Sequence, residues 1–210
     1  MGPGDITGVV LAGGRGSRMG GIDKGLQPFL GKPLALHALR RLQAQEGDLL
    51  GHHLLNANRN LDTYLAFGVP VHADALPDFA GPLAGFLSGL AHSESPYVLT
   101  VPCDTPLFPL DLARRLAQAF DRPGTEIAMA AALEEDGQLR PQPVFSLMRR
   151  GLMDSLLRFT QTGGRRVDHW TAEHETRLVA FDKPTDNPRA FFNANTLSEL
   201  KALEDDPDLT

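Results

Sequence analysis

The sequence predicts an α/β fold in which a mostly parallel sheet is covered by helices on both faces. Short apolar runs, typical of buried strands, alternate with helix-period stripes through roughly the first two thirds of the 210 residues. Several of these runs pass directly into glycine or short polar residues, as after Ala12, Leu55 and Pro102. Such alternation favours parallel βαβ units, so we expect a three-layer, Rossmann-like sheet with a ligand site at the carboxyl ends of its strands.

Each element has its own signal. Strands are predicted where apolar residues run together, at 9–12, 54–55, 69–74, 97–102, 127–133 and 177–181. Helices are predicted where apolar residues recur with helical spacing, at 34–47, 86–92, 110–120 and 152–159. A last helix begins after Thr196, which forms a capping box with Glu199. The Asp136-Gly137 turn predicts antiparallel pairing of 144–147 with 127–133.

Composition limits the class of protein. The length suits one α/β domain over 1–210, with an acidic tail at 201–210. A net charge of −6 gives no general attraction to nucleic acid or to an anionic membrane. No apolar stretch approaches the length of a membrane span, and the single cysteine, Cys103, excludes an intrachain disulfide. We therefore expect a soluble, cytoplasmic protein, and we expect it to be a monomer.

The segment after the first strand carries the clearest site signal. Glycines accept positive φ and have no Cβ, so the backbone N–H groups of Gly13, Gly14 and Gly16 can converge on phosphate oxygens. Arg18 and Lys24 add positive charge. The guanidinium of an arginine can donate to two phosphate oxygens at once, whereas the ammonium of a lysine acts as a compact point charge. A loop of this kind predicts binding of a polyphosphate.

Polar residues follow the next strands of the predicted sheet. Asn56 falls where a base or ribose is read, although asparagine also favours a local turn. Asp74 has three interpretations: it accepts the two adjacent donors of guanine, contacts a ribose hydroxyl, or caps a turn. Asp104 follows strand 97–102 between two prolines, and a carboxylate fixed in this way suits Mg²⁺ beside phosphates. Cys103 is interpreted as a small buried hydrophobe.

The last third offers candidates for a second substrate. Arg165 and Arg166 follow two glycines, and together with Arg140 they can hold the phosphate of an acceptor, or they can lie in a solvated loop. Asn193 and Asn195 stand just before the last helix and can complete an acceptor or metal site. The histidines show no metal-ligand spacing, so no zinc is predicted.

The motifs also resemble those of a known family. Leu11-Ala12-Gly13-Gly14, Arg18-Met19-Gly20, Asp23-Lys24 and Gly31-Lys32-Pro33-Leu34 resemble the opening signature of nucleotidyltransferases. Within that superfamily they are most similar to the molybdenum cofactor guanylyltransferases, the MobA family. The resemblance continues through the 81–85 block and the two asparagines as far as Leu200.

The resemblance implies an enzyme that transfers GMP from Mg-GTP to the phosphate of molybdenum-carrying molybdopterin and releases pyrophosphate. It implies a nucleotide-binding part at about 6–120 and an acceptor-binding part at about 121–200. The residues expected to bind GTP are Leu11, Ala12, Gly13, Gly14, Lys24, Asn56, Asp74 and Asp104. The expected catalytic residues are Lys24, Arg18 and Asp104, with Asp104 on Mg²⁺. The expected acceptor residues are Arg140, Arg165, Arg166, Asn193 and Asn195.

Three alternatives stay open. Leu-Ala-Gly-Gly leans towards guanine, whereas related cytidylyltransferases tend to show Leu-Ala-Ala-Gly, so cytidylyl transfer to the same pterin is one alternative. Nucleotidyl transfer to a sugar phosphate is another. A module that binds GTP or the finished cofactor for delivery, without turnover, is a third. For a protein that makes or delivers the cofactor, the expected partners are other cofactor-synthesis proteins or molybdoenzyme chaperones, in transient contact.

Overall fold

The computed structural model describes residues 1–13, 23–74, 81–134 and 136–205. The strands are β1 (Ile6–Leu11), β2 (Pro28–Phe29), β3 (Lys32–Pro33), β4 (Leu50–Asn56), β5 (Val71–His72), β6 (Tyr97–Pro102), β7 (Ile127–Leu133), β8 (Leu139–Arg149) and β9 (Thr176–Phe181). The helices are α1 (Leu34–Gln43), α2 (Leu61–Leu65), α3 (Pro82–His92), α4 (Leu112–Gln118), α5 (Met153–Gln161), α6 (Val167–Thr171) and α7 (Leu197–Glu204). Short 3-10 turns cover Lys24–Leu26, Ala119–Asp121 and Arg150–Leu152.

Seven strands form one sheet in the order β5-β4-β1-β6-β8-β7-β9. All neighbouring pairs are parallel except those of β8, which runs antiparallel to both β6 and β7. The mostly parallel α/β sheet predicted from the sequence is therefore confirmed. The carboxyl ends of β1, β4, β5 and β6 lie side by side at one edge of this sheet.

Helices cover both faces of the sheet. Successive residues of a strand point to opposite faces, and accordingly Val10 packs with α1 and α4 in one core, whereas Val9 packs with α3 and α5 in the other. Leu42 and Leu116 belong to the first core, and Phe86 belongs to the second. The three-layer arrangement follows from this alternation.

Several boundaries differ from those predicted. Helix α1 ends at Gln43, before Gly47, whose φ of 73° lies in the left-handed region. Helix α3 begins at Pro82, earlier than the predicted residue 86, because a proline is well suited to the first turn of a helix. Strand β5 has only two residues, and β8 has eleven where four were predicted. The capping box of Thr196 and Glu199 is confirmed.

Four short elements were not predicted, namely β2, β3, α2 and α6. The strands have two residues each and the helices five, which is too short to display a period. The β2–β3 hairpin packs against α7 through a small core of Phe29, Leu34, Leu200 and Leu203. Helix α7 is thereby attached close to the turn that carries Lys24. In the described part of the chain, no helix is long and apolar enough to cross a membrane.

Candidate active site

The carboxyl ends of four neighbouring strands open into a crevice of about 1000 Å³. This volume is at the upper end of the range typical of small-molecule sites. The crevice is lined by most of the residues expected to bind the nucleotide, namely Leu11, Ala12, Gly13, Lys24, Asn56, Asp74 and Asp104, together with Asn193. Gly14 and Arg18 lie outside the described residues. Residues 142–145, from β8, and Arg59 also line the crevice and were not predicted as site residues.

One end of the crevice is built around the carboxylate of Asp74. Asn56 Nδ2 donates to Asp74 Oδ1 at 3.0 Å, and Asn58 Nδ2 donates to Asp74 Oδ2 at 2.7 Å. The backbone N–H of Asp74 donates in turn to Asn58 Oδ1 at 2.8 Å. Two amide donors, one to each oxygen, fix the plane of the carboxylate. Each carboxylate oxygen has more than one acceptor position, so Asp74 can still accept two donors from a ligand.

Asn56 and Asn58 therefore orient Asp74. Asn56 is only 2% exposed, and its second amide hydrogen is directed to the carbonyl of His72 at 3.1 Å. Both of its donors are thus used within the protein, which leaves its Oδ1 as the polar atom for other contacts. The structure brings Asn56 and Asp74 together, as expected for the end of neighbouring strands. Asn58 was missed, because a polar residue two positions beyond a strand end is also typical of a surface turn.

Two glycines make room for the side chain of Asn56. A Cβ at Gly13 would lie 2.9 Å from Asn56 Oδ1 and 3.0 Å from Asn58 Nδ2. A Cβ at Gly85, in the first turns of α3, would lie 2.8 Å from Asn56 Oδ1. The two distances to Asn56 Oδ1 are shorter than any that a real Cβ atom adopts. The glycines are therefore required by close approach, in addition to any contact that they make with a ligand.

The other end of the crevice is built around Lys24 and Asp104. Lys24 Nζ lies 2.5 Å from Asp104 Oδ2 and donates to Asn195 Oδ1 at 3.0 Å. Both charged side chains are 21% exposed, so the pair is accessible from the crevice. The Thr105 hydroxyl donates to Asn193 Oδ1, and the Ala194 N–H donates to the Asp104 carbonyl at 3.0 Å. The segment 193–195 is thus folded onto the end of β6.

The capping box of α7 holds this segment in place. Glu199 Oε2 accepts from the backbone N–H of Asn195 at 2.7 Å and from that of Thr196 at 3.2 Å. The two asparagines predicted for an acceptor or metal site therefore lie close to Asp104 and Lys24. Asn195 and Lys24 are 171 positions apart in sequence. Thr105, which is fully buried, was not predicted as part of this contact.

The donor set at Asp104 fits a divalent ion that is shared with a substrate. Within the residues that the structure describes, no three His, Cys, Asp or Glu side chains cluster so as to hold a metal alone. Mg²⁺ commonly takes one or two carboxylates from the protein and completes its shell with phosphate oxygens and water. The Asp104 carboxylate, with the amide oxygens of Asn193 and Asn195 nearby, fits an Mg²⁺ ion that takes its other ligands from a substrate and water. These residues are too few to surround a metal ion by themselves.

The three arginines predicted for an acceptor phosphate are placed elsewhere. Among the described residues that line the crevice, none of Arg140, Arg165 and Arg166 is present. Arg140 pairs with Asp136, and Arg166 pairs with Asp168 at 2.6 Å, each within four positions in sequence. Arg165 donates to the Gly164 carbonyl at 3.2 Å. Local partners on an exposed surface explain these cations, so we leave them out of the proposed site.

Cys103 lines the crevice but is only 7% exposed. Burial raises the pKa of its thiol, and the negative charge of Asp104 raises it further. The thiol therefore stays protonated and is a poor nucleophile. This supports the interpretation of Cys103 as a small buried hydrophobe.

Asp74 follows β5 and Asp104 follows β6, with β4 and β1 between them. Three strand spacings of about 4.8 Å place the ends of β5 and β6 roughly 14 Å apart, which suits an extended nucleotide lying across the strand ends. Fold and site together define a nucleotide-binding α/β protein with a polar group at each end of its crevice.

Comparison with known proteins identifies the family. Residues 8–178 match the model of the MobA-like NTP transferase domain. A molybdenum cofactor guanylyltransferase of Acidovorax ebreus (strain TPSY) is 63% identical over 205 residues, covering 95% of each chain. One from Albidiferax ferrireducens is 61% identical over 207 residues, covering 97% of each chain. The chain therefore belongs to the MobA-like NTP transferase family and is a nucleotidyltransferase, which confirms the resemblance noted in its motifs.

A solved structure shares the fold. The crystal structure of molybdopterin-guanine dinucleotide biosynthesis protein A from Archaeoglobus fulgidus has a TM-score of 0.74 and 20% sequence identity. The match covers 94% of this chain and 96% of that one. The similarity therefore extends over nearly the whole sheet and its covering helices.

Proposed function

We propose that the enzyme transfers GMP from GTP to the terminal phosphate of molybdopterin carrying molybdenum, with release of pyrophosphate. The relatives that are 63% and 61% identical over nearly their full length are both molybdenum cofactor guanylyltransferases. The observation that carries the proposal is the Asp74 carboxylate, held by two amides, at one end of a crevice whose other end holds Lys24 and Asp104.

The Asp74 end suits guanine. Guanine presents two adjacent donors, N1–H and the exocyclic amine, and an ionised carboxylate of fixed plane accepts both. Adenine and cytosine do not offer this pair of donors. The amides of Asn56 and Asn58 keep the Asp74 oxygens in one orientation, so the discrimination requires no rearrangement on binding.

The Lys24 end suits the phosphates. The ammonium of Lys24 neutralises charge that develops on the departing pyrophosphate. Asn195 Oδ1 accepts a hydrogen bond from this ammonium and so holds it in the crevice. Mg²⁺ held by Asp104 and by the phosphate oxygens would add positive charge at the same groups.

The transfer needs no general base. A phosphate monoester is already ionised near neutral pH, so its terminal oxygen attacks the α-phosphorus directly. One P–O bond forms to the acceptor, the bond between the α-phosphorus and the bridging oxygen breaks, and pyrophosphate leaves with the electron pair. The contribution of the enzyme is positioning and charge stabilisation. Residues 142–145, which β8 contributes to the wall of the crevice, form the proposed acceptor side.

Pyrophosphate release tests the proposal. Purified enzyme with Mg-GTP is expected to release pyrophosphate only when molybdenum-loaded molybdopterin is added. Release with CTP in place of GTP would change the assignment to cytidylyl transfer, and release with a sugar phosphate in place of the pterin would change the acceptor. Tight GTP binding with no release in the presence of the pterin would favour a delivery module.

We expect GTP to stabilise the protein against heat more than CTP, ATP or UTP does. A ligand at about one hundred times its dissociation constant adds roughly 2.7 kcal/mol to the free energy of unfolding. In Asp74→Asn one oxygen becomes an NH₂ group that opposes the guanine donors, so the GTP shift should be largely lost. Asp62→Asn, on the exposed face of α2, is the control and should keep the shift. Equal shifts for all four nucleotides would contradict guanine selection by Asp74.

Gly13→Ala should weaken GTP binding about tenfold or more. The added Cβ meets Asn56 and Asn58 at 2.9 and 3.0 Å, and relief of overpacking of this kind typically costs about 1–3 kcal/mol. Displacement of the two amides would release Asp74 from its fixed plane. Gly151→Ala is the matched control, because a Cβ at Gly151 meets no atom within 4 Å. Unchanged GTP affinity in Gly13→Ala, measured by titration calorimetry, would show that the amide pair does not orient Asp74.

A further inference from the structure

A buried polar contact lies behind the Lys24 turn, outside the crevice. The side chain of Tyr64, on α2, is fully buried, and its hydroxyl donates to Asp23 Oδ1 at 2.6 Å. Asn60 Nδ2 donates to Asp23 Oδ2 at 2.8 Å. Both carboxylate oxygens of Asp23 are therefore bound to the segment that begins α2. This segment follows β4 directly.

Asp23 begins the turn that presents Lys24. Its backbone carbonyl accepts from the Leu26 N–H at 3.2 Å and from Gln27 Nε2 at 3.2 Å. Side chain and main chain of Asp23 are thus both anchored, one residue before the ammonium-bearing side chain. A shift of Asp23 would move the Cα of Lys24 and the direction in which its side chain enters the crevice.

The turn also rests directly on the tyrosine hydroxyl. A Cβ at Gly25 would lie 2.5 Å from Tyr64 Oη and 3.3 Å from the Cβ of Ala12, which itself lines the crevice. The backbone at residue 25 can approach Tyr64 only because glycine stands there. The hydroxyl therefore sits between α2 and the Lys24 turn and contacts both.

We propose that Tyr64 is a positioning residue, whose hydroxyl acts through Asp23 to hold the ammonium of Lys24 in the crevice. Packing alone does not require a tyrosine here, because phenylalanine fills the same apolar site without a polar atom to satisfy. The hydroxyl has one evident use, which is donation to Asp23. The inference rests on the proposed function in one respect, namely that Lys24 stabilises charge on the phosphates.

The protonation of the Tyr64 hydroxyl suits this role. Burial raises the pKa of Tyr64, and its hydrogen bond to Asp23 raises it further. The phenol therefore keeps the proton that it donates to Asp23.

The test compares the two tyrosines of the chain. Tyr64→Phe removes the hydroxyl behind Lys24, whereas Tyr97→Phe removes one at the start of β6, the end remote from the crevice, where it accepts from Arg149 Nη1 at 3.4 Å. With saturating Mg-GTP and pterin, Tyr64→Phe should lower kcat for pyrophosphate release about tenfold or more, with little change in KM for GTP. Tyr97→Phe should stay within about twofold of wild type.

A double-mutant cycle separates positioning from a general structural effect. In a Lys24→Ala background, Tyr64→Phe should cause no further fall in kcat, because the group that it positions is gone. Asp23→Asn provides a second variant in case Tyr64→Phe folds poorly. Its kcat for pyrophosphate release should also be lower than that of wild type. An undiminished effect of Tyr64→Phe in the Lys24→Ala background would overturn the proposal, as would wild-type kcat in Tyr64→Phe.

Hydrogen exchange gives a readout that does not depend on activity. Amides of residues 23–27 should exchange faster in Tyr64→Phe than in wild type, and at the wild-type rate in Tyr97→Phe. Equal exchange in all three proteins would overturn the proposal. A wild-type enzyme that releases no pyrophosphate would instead contradict the proposed function, and the exchange comparison would still decide whether Tyr64 holds the turn.

Discussion

Replacing Asp104 with alanine is expected to abolish transfer while the protein stays folded. Asp74 and Asp104 are the two carboxylates among the described residues that line the crevice, and Asp104 alone lies beside Lys24. In the proposed function, its loss removes the oxygen ligand for Mg²⁺ and the charged partner of Lys24. Removing a single preorganised hydrogen-bond donor from an active site typically lowers kcat about a hundredfold to a thousandfold. Removing a metal ligand should lower kcat by at least as much.

Pyrophosphate release at saturating Mg-GTP and pterin measures this effect, and thermal unfolding verifies the fold. Asp111→Ala is the matched control, because Asp111 is similarly exposed, at 24%, and pairs with Arg114 at 3.2 Å beside α4. It should retain activity near that of wild type. Magnesium-dependent turnover of Asp104→Ala at close to the wild-type rate would remove Asp104 from the metal site.

Replacing Lys24 with methionine is expected to lower kcat about a hundredfold or more while KM for GTP rises less. Methionine keeps the length of the side chain but removes the charge that, in the proposed function, stabilises the departing pyrophosphate. Lys24→Arg should be more active than Lys24→Met but less active than wild type. The larger, planar guanidinium cannot take the position of the compact ammonium between Asp104 and Asn195.

Steady-state kinetics with varied GTP separates the two parameters. Lys32→Met, an exposed lysine on β3, is the control for loss of one positive charge and should leave kcat unchanged. If Lys24→Met raised KM and left kcat intact, Lys24 would serve uniform binding of the nucleotide and not the transition state. That result would also remove the chemical basis for the role proposed for Tyr64.

The sheet could be predicted wherever burial leaves a strong local pattern. Strands β6 and β7 match the predicted ranges at both ends, because central strands covered on both faces require continuous apolar residues. The predicted extent of β8 was too short, since Arg140 and Gln142 interrupt the apolar pattern of a strand that is exposed at its start. Helix α2 was missed because five residues form little more than one turn.

The site was predictable in its strand-end residues and much less so in its supporting contacts. Asn56, Asp74 and Asp104 each follow an apolar run, which is a local signal. The contact of Tyr64 with Asp23 joins residues 41 positions apart and depends on how α2 packs beneath the turn, which no local pattern reveals. The arginines at 140, 165 and 166 show a limit of the sequence signal, since charge alone does not distinguish a ligand-binding cation from one with a local partner, such as Asp136 for Arg140 and Asp168 for Arg166.

The antiparallel strand β8 makes completion of the sheet depend on the order in which the chain is synthesised. In a nascent chain of residues 1–120, β6 would pair with β1 on one side and would lack β8, its other neighbour in the folded protein. Its buried residues Val98, Leu99 and Val101 then border an open edge, which is a template for wrong pairing with another chain. Only when β8 arrives does Thr100 donate to the Val144 carbonyl at 2.7 Å and the wall at 142–145 close the crevice. A truncated chain that ends before β8 would therefore be prone to aggregation and would lack one side of its substrate crevice.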